Sequence, residues 1–226
     1  MTDQITVPSG EQKKEAHIFY MAALIGGFLG LFPIVSIVKN FGSAQTANMI
    51  EIIVAALEKN KINFSFYITG TFLYSMSIVF VTVLKRKSKT GIKFAALGIN
   101  IIAVLAMCIL PENLSPLIYL YPTFLAMPFL WCTFNGGYGF TSSPIFSTNN
   151  LRMFISSLVE IFIYKEKSFM LKAKFFGATL LFFHTGIVLS WICWHFFKKT
   201  GFLFALVPIL LCSVMIIKNE IMKKKA

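Results

Sequence analysis

Two short runs carry the polar residues best suited to handling a solute inside an apolar environment. The first is Gln45-Thr46-Ala47-Asn48, followed by an apolar tract to about Leu57; the second is Ser147-Thr148-Asn149-Asn150, followed by one to Tyr164. Aligned on each other, Thr46 matches Thr148 and Asn48 matches Asn150. Small polar residues of this kind suit a helix N-cap. If two such helices meet by their N-terminal ends, unpaired N–H groups and positive dipole ends face one site, which favours an anion or a polar ligand. On the first helix Asn48, Glu51, Ala55 and Glu58 recur at three- and four-residue steps as a polar stripe. Glu51 adds a carboxylate that either carries a coupling proton or sits at an interface. The candidate substrate-binding residues are therefore Gln45, Thr46, Asn48, Glu51, Thr148, Asn149 and Asn150, and a pair between Glu51 and Arg152, one place off in the alignment, is a further expectation.

Other chemistry finds little support. There is no GxSxG, HExxH or P-loop, and no paired intramembrane aspartates, so no catalytic residue is assigned and an enzyme is not expected. His184 and His195 fall on one helix face but about 16 Å apart along its axis, too far to share a metal. Cys108, Cys132, Cys193 and Cys212 lie inside apolar runs without CxxC spacing and read as small buried hydrophobes. No metal site and no cofactor are expected.

The elements that must position these residues are membrane helices. Of the 226 residues, 57% are hydrophobic and 13% charged, with a mean hydropathy of +0.75. A soluble core of this size cannot hide so much apolar surface. The formal charge of +12 sits in blocks between apolar runs, as orientation signals facing an acidic lipid surface do, and nucleic acid is not an expected partner. Runs long enough to span are about 18–38, 64–84, 92–110, 114–134, 175–197 and 202–217. The two polar-led tracts, 45–58 and 148–164, are too short to span and read as re-entrant half-helices. With six crossings and cytoplasmic termini, only Lys39, Lys59, Lys61, Lys198 and Lys199 face outward, leaving sixteen of the 21 Lys/Arg inside. If both short tracts crossed, the split would fall to twelve against nine.

The expected fold is thus an all-α membrane protein with six transmembrane helices and two short re-entrant half-helices. Residues 1–16 and 219–226 are read as cytoplasmic tails flanking two repeats, 17–110 and 113–218. Three crossings per repeat make the second enter from the opposite face, an inverted-topology arrangement. Gly26-x-x-x-Gly30 predicts close helix packing. Pro33, Pro122 and Pro128 predict kinks, and Gly136, Gly137 and Gly139 predict a flexible lead-in to the second short helix.

Gly27, the run from Phe41 to Asn48, and the run from Ser147 to Leu151 resemble the YoaK family of small multi-pass bacterial membrane proteins, a domain of unknown function. The likeness in length and span order covers nearly the whole chain. The family pattern has Thr-Gly-Asn where this chain has Thr46-Ala47-Asn48, and an aspartate where it has Gly30, so no site built on that aspartate is carried over. The resemblance implies a bacterial plasma or inner membrane location and no settled activity. The expected function is a small secondary transporter or permease for a polar or anionic solute bound between the half-helices. Its partners are the lipid bilayer and a small-molecule substrate, and a homo-oligomer is compatible with this. The alternative is a non-transporting membrane scaffold or accessory subunit.

Overall fold

Helix α1 (Gly10–Ser36) begins seven residues before residue 17, where the first repeat was expected to start, because Ser9 and Gln12 cap it reciprocally. The Gln12 amide donates to Ser9 Oγ at 3.2 Å and the Ser9 amide to Gln12 Oε1 at 2.9 Å, a capping box that draws part of the expected tail into the helix. The computed structural model describes residues 8–36, 44–88, 90–111, 114 and 116–225. The lead-in Phe41-Gly42-Ser43 lies outside them.

Among the described residues seven further α-helices follow: α2 (Gln45–Leu57), α3 (Lys61–Lys87), α4 (Gly91–Ile109), α5 (Tyr121–Thr133), α6 (Thr148–Phe162), α7 (Met170–Phe197) and α8 (Leu206–Lys225). Among the described residues four helical stretches are long and apolar enough to cross a membrane: Gly10–Val35, Lys61–Lys87, Gly91–Ile109 and Lys167–Lys223. The last contains α7 and α8, joined by a 3-10 turn at Lys198–Ala205. The expected span at 114–134 is shorter, Leu117–Thr133, because Pro122 stands in the first turn of α5 and sets its start rather than kinking its interior. Pro33 and Pro128 do lie inside their helices.

Both short helices end alike. Lys59 and Lys165 take φ of 57° and 60°, and the amides of Asn60 and Glu166 reach back to the carbonyls of Ala55 and Glu160. A left-handed residue closing a helix in this way satisfies carbonyls that would otherwise be orphaned.

Packing fixes the relative directions. Along α1 and α7, Phe19 meets Phe175, Tyr20 stacks on Phe182, and Gly186 abuts the backbone of Leu24 and Phe28. Numbers rise together, so the two helices run parallel. The same holds for α3 and α5, where Phe66 meets Tyr121, Gly70 meets Phe124 and Lys85 donates to the Cys132 carbonyl at 3.0 Å. The end of α8 returns to the start of α1, with Lys223 Nζ 2.6 Å from Glu11 Oε1. Besides these pairs, α2 packs on α3, α6 on α7, α4 on α5 and on α8, and α1 on α8. A continuous core gathers Phe19, Phe28, Leu97, Leu130, Phe175 and Phe202. Outward faces stay apolar: Phe72 is 61% exposed and Phe80 59%. Such faces suit hydrocarbon rather than water.

Candidate functional site

The route into α6 is the most elaborated stretch of the chain. After α5 the backbone reverses in a two-residue antiparallel hairpin, Gly136–Gly137 against Phe140–Thr141. Tyr138 and Gly139 turn it with φ of 54° and 84°, a mirror-image turn that needs two left-handed residues. The glycines expected to loosen this segment instead fold it tightly. Gly137 presses on the backbone of Ala16, and further on the Pro144 carbonyl fits where a methyl on Gly26 would stand. Ala16 and Gly26 are separated by about 15 Å along α1. The lead-in therefore descends beside α1, and α6 climbs back along α7, where Phe154 fills the space left by Gly177.

Asn150 holds the bottom of this loop. Its Oδ1 accepts from Ser142 Oγ at 2.6 Å, and its Nδ2 donates to the carbonyls of Ser143 at 3.0 Å and Phe146 at 2.8 Å. The side chain is 1% exposed. Ser147 is the N-cap of α6 by position, but its hydroxyl makes no capping hydrogen bond among the described residues. Asn150 ties down the lead-in backbone in place of the expected hydroxyl cap.

In the first half, Gln45 Oε1 accepts from Thr71 Oγ1 on α3 at 3.5 Å. Thr71 lies about 15 Å along α3 from its start, so α2 too begins well inside the bundle and runs back toward Asn60. Asn48 is 1% exposed, like its counterpart Asn150. Of the seven candidate residues, these two are buried and Gln45 is half-buried, while Thr46, Glu51, Thr148 and Asn149 are exposed. The polar stripe on α2 is split: Asn48 and Ala55, two turns apart, face inward, and Glu51 and Glu58 face out. The expected Glu51–Arg152 pair does not form. Arg152 instead donates to Asn149 Oδ1 at 3.0 Å, one turn back on its own helix. The principal neighbour of α2 is α3 and that of α6 is α7, so each short helix packs first on the long helix that follows it.

A family model described as Protein of unknown function (DUF1275) matches residues 18–217. The chain belongs to this family. YoaK-like membrane proteins are members, in keeping with the resemblance in the sequence. No curated protein and no solved structure matches the chain.

Within this DUF1275 chain the matched residues take in both short helices and the whole lead-in loop, but stop short of the Glu11–Lys223 ion pair. Sequence reasoning missed Ser142 and Ser143, whose part depends on a loop folding back eight and seven residues to Asn150. It also missed the partner of the first-span glycines. Gly27 sits against the Phe183 carbonyl and Gly186 against the Leu24 carbonyl, so α1 and α7 touch backbone to backbone at two reciprocal points. The Gly26-Gly27 pair in one apolar run and Gly186 in another were the available signal.

Proposed function

We propose that this DUF1275 protein is a six-span permease of the bacterial plasma membrane, built from two inverted-topology repeats, that takes a small polar or anionic solute between its half-helices. One observation carries the reading: the principal helix contacts recur when the halves are exchanged. Replacing α1–α4 by α5–α8 turns α1 on α7 into α5 on α3, α2 on α3 into α6 on α7, and α4 on α5 into α8 on α1, and all of these contacts are present. The pairing of α4 with α8 maps onto itself. α1 begins at the end where α3, α5 and α8 finish, so corresponding helices run in opposite directions, as an inverted repeat requires. That end carries Lys85, Lys93 and Lys223 and is assigned to the cytoplasm. Both short helices then start within the bundle, where irregular backbone survives only against protein or a wet cavity, and α6 returns to the face from which its lead-in came.

Two measurements test the reading separately. In a cysteine-free background, Lys59→Cys and Lys167→Cys should be labelled from opposite faces; labelling from one face breaks the topology. In proteoliposomes, uptake should be protein-dependent for one class among amino acids, short carboxylates, phosphate and nucleosides, and at least tenfold weaker in Asn48→Leu. Uptake of none of these classes, or uptake unaffected by that substitution, overturns the permease.

A second reading, a membrane scaffold without transport, is favoured by Asn150. Its oxygen accepts from, and the two N–H donors of its amide donate to, its own loop, which suits a structural staple better than a solute ligand.

A further inference from the structure

Where α1 and α4 begin and α3, α5 and α8 finish, five helices surround a cavity of about 260 Å³. Its charged lining is Glu15, Lys85, Lys93, Glu220 and Lys223. These charges are unequally engaged. Lys223 faces Glu11 at 2.6 Å and Glu15 at 3.8 Å, so it is matched by carboxylates. Lys85 uses one of its N–H donors on the Cys132 carbonyl, which brings its ammonium beside Thr133 and leaves its other donors for a ligand. Lys93 forms no ion pair among the described residues, and neither does Glu220. Lys85 and Lys93 are therefore the two cations of the lining with no carboxylate at ion-pair distance among the described residues.

Thr133 lines the same cavity and is the second, independent sign of a ligand. It is 7% exposed and its hydroxyl has no hydrogen-bond partner among the described residues. Elsewhere in the bundle Ser77, Ser157, Thr179 and Ser213 donate to the carbonyl four residues back, the usual refuge of a helical hydroxyl in an apolar setting. Thr133 does not, and a buried hydroxyl left unpaired is unfavourable unless something else meets it.

We infer that this cavity binds a small oxyanion, a carboxylate or phosphate group, between the Lys85 and Lys93 ammonium groups, with the Thr133 hydroxyl as a further donor. Its volume is below that of cavities for drug-sized ligands, so the bound group is small. It belongs either to a free solute or to the phosphate of an anionic lipid reaching in from the adjoining leaflet. The inference stands apart from the half-helices and does not require transport.

The test uses the full chain in phosphatidylcholine nanodiscs, titrated calorimetrically with inorganic phosphate and with succinate at low salt. Saturable binding of at least one anion is expected, weakened tenfold or more by Lys93→Gln and by Thr133→Val. Lys167→Gln, an exposed lysine outside the cavity lining, should leave it unchanged. Lys85→Gln alters an exposed side chain and serves if Thr133→Val fails to fold. In discs containing phosphatidylglycerol, competition with the free anion identifies a lipid phosphate as occupant, and undiminished binding identifies a free solute; both uphold the site. Absence of saturable binding by either anion, with no selective retention of phosphatidylglycerol in native mass spectrometry, overturns it. So does binding that survives Lys93→Gln and Thr133→Val at full strength.

Discussion

Replacing Asn150 separates two accounts of how the lead-in to α6 is held. The side chain accepts one hydrogen bond and donates two, and both donated bonds end on backbone carbonyls, which only accept. The amide nitrogen is therefore the group that pins the loop, and the orientation of the amide is fixed by its partners. Three bonds at about 1 kcal/mol each give about 3 kcal/mol. In a bilayer the unfolded reference finds partners too, and an average of about 0.6 kcal/mol per bond lowers the figure to about 2 kcal/mol. Asn150→Ala should lose this amount plus the packing of the removed amide. Asn150→Asp keeps the shape but sets a carboxylate against the Ser143 and Phe146 carbonyls, so it should destabilise at least as much as alanine. Unfolding in mixed micelles of rising dodecyl sulfate measures the loss, and hydrogen exchange at residues 134–147 locates it. An aspartate variant close to the wild type, or exchange in the loop unchanged by alanine, would refute the staple, because it would mean that volume rather than the donor holds the loop.

Other expectations follow from the same contacts. Gly27→Ala and Gly186→Ala each place a methyl on a carbonyl of the facing helix and should cost about 1–3 kcal/mol; because either one already separates α1 from α7, a double-mutant cycle in thermal unfolding should show the pair to be less than additive. Lys59→Gly and Lys165→Gly remove a left-handed side-chain penalty at φ of 57° and 60° and should raise stability by up to about 1 kcal/mol in the same assay. The Glu11–Lys223 ion pair predicts that Lys223→Gln frees the end of α8. A fluorescent label at Ile221→Cys in a cysteine-free background should report looser docking in that variant, and unchanged docking would show that the pair does not hold this end.

The number and order of helices were legible because apolar length and polar punctuation act locally. The bounds of α2 and α6 fell within two residues of the tracts read from the sequence, since an apolar run, a turn and a basic residue mark each end. The exact start of α1 was not, because Ser9 and Gln12 offer a cap whose use depends on whether the preceding chain leaves it free. Nor were the neighbours legible. That Gly26 faces Pro144 while Gly27 faces Phe183 depends on a rotation of about 100° between adjacent helical positions, set by helices far away in sequence. The polar stripe on α2 failed for the related reason that three- and four-residue steps describe an arc, and packing on α3 selected only Asn48 and Ala55 from it.

The buried member of each short polar run is the asparagine, and the physical demand on a half-helix explains why. A helix that begins inside an apolar bundle is preceded by backbone that no ladder satisfies, with carbonyls needing donors and side chains needing acceptors in one small volume. A hydroxyl brings a single donor, and a carboxylate brings none while adding a charge. An amide brings two donors and an acceptor without charge, and Asn150 uses both functions within one loop. Threonine before it and the residues around it are released to the surface, where Thr46, Thr148 and Asn149 lie. Asn48 occupies the same repeat position at the same burial. Under this logic Asn48→Asp should be more damaging than Asn48→Gln, which keeps the amide, and the reverse order in the micelle unfolding assay would separate the roles of the two asparagines.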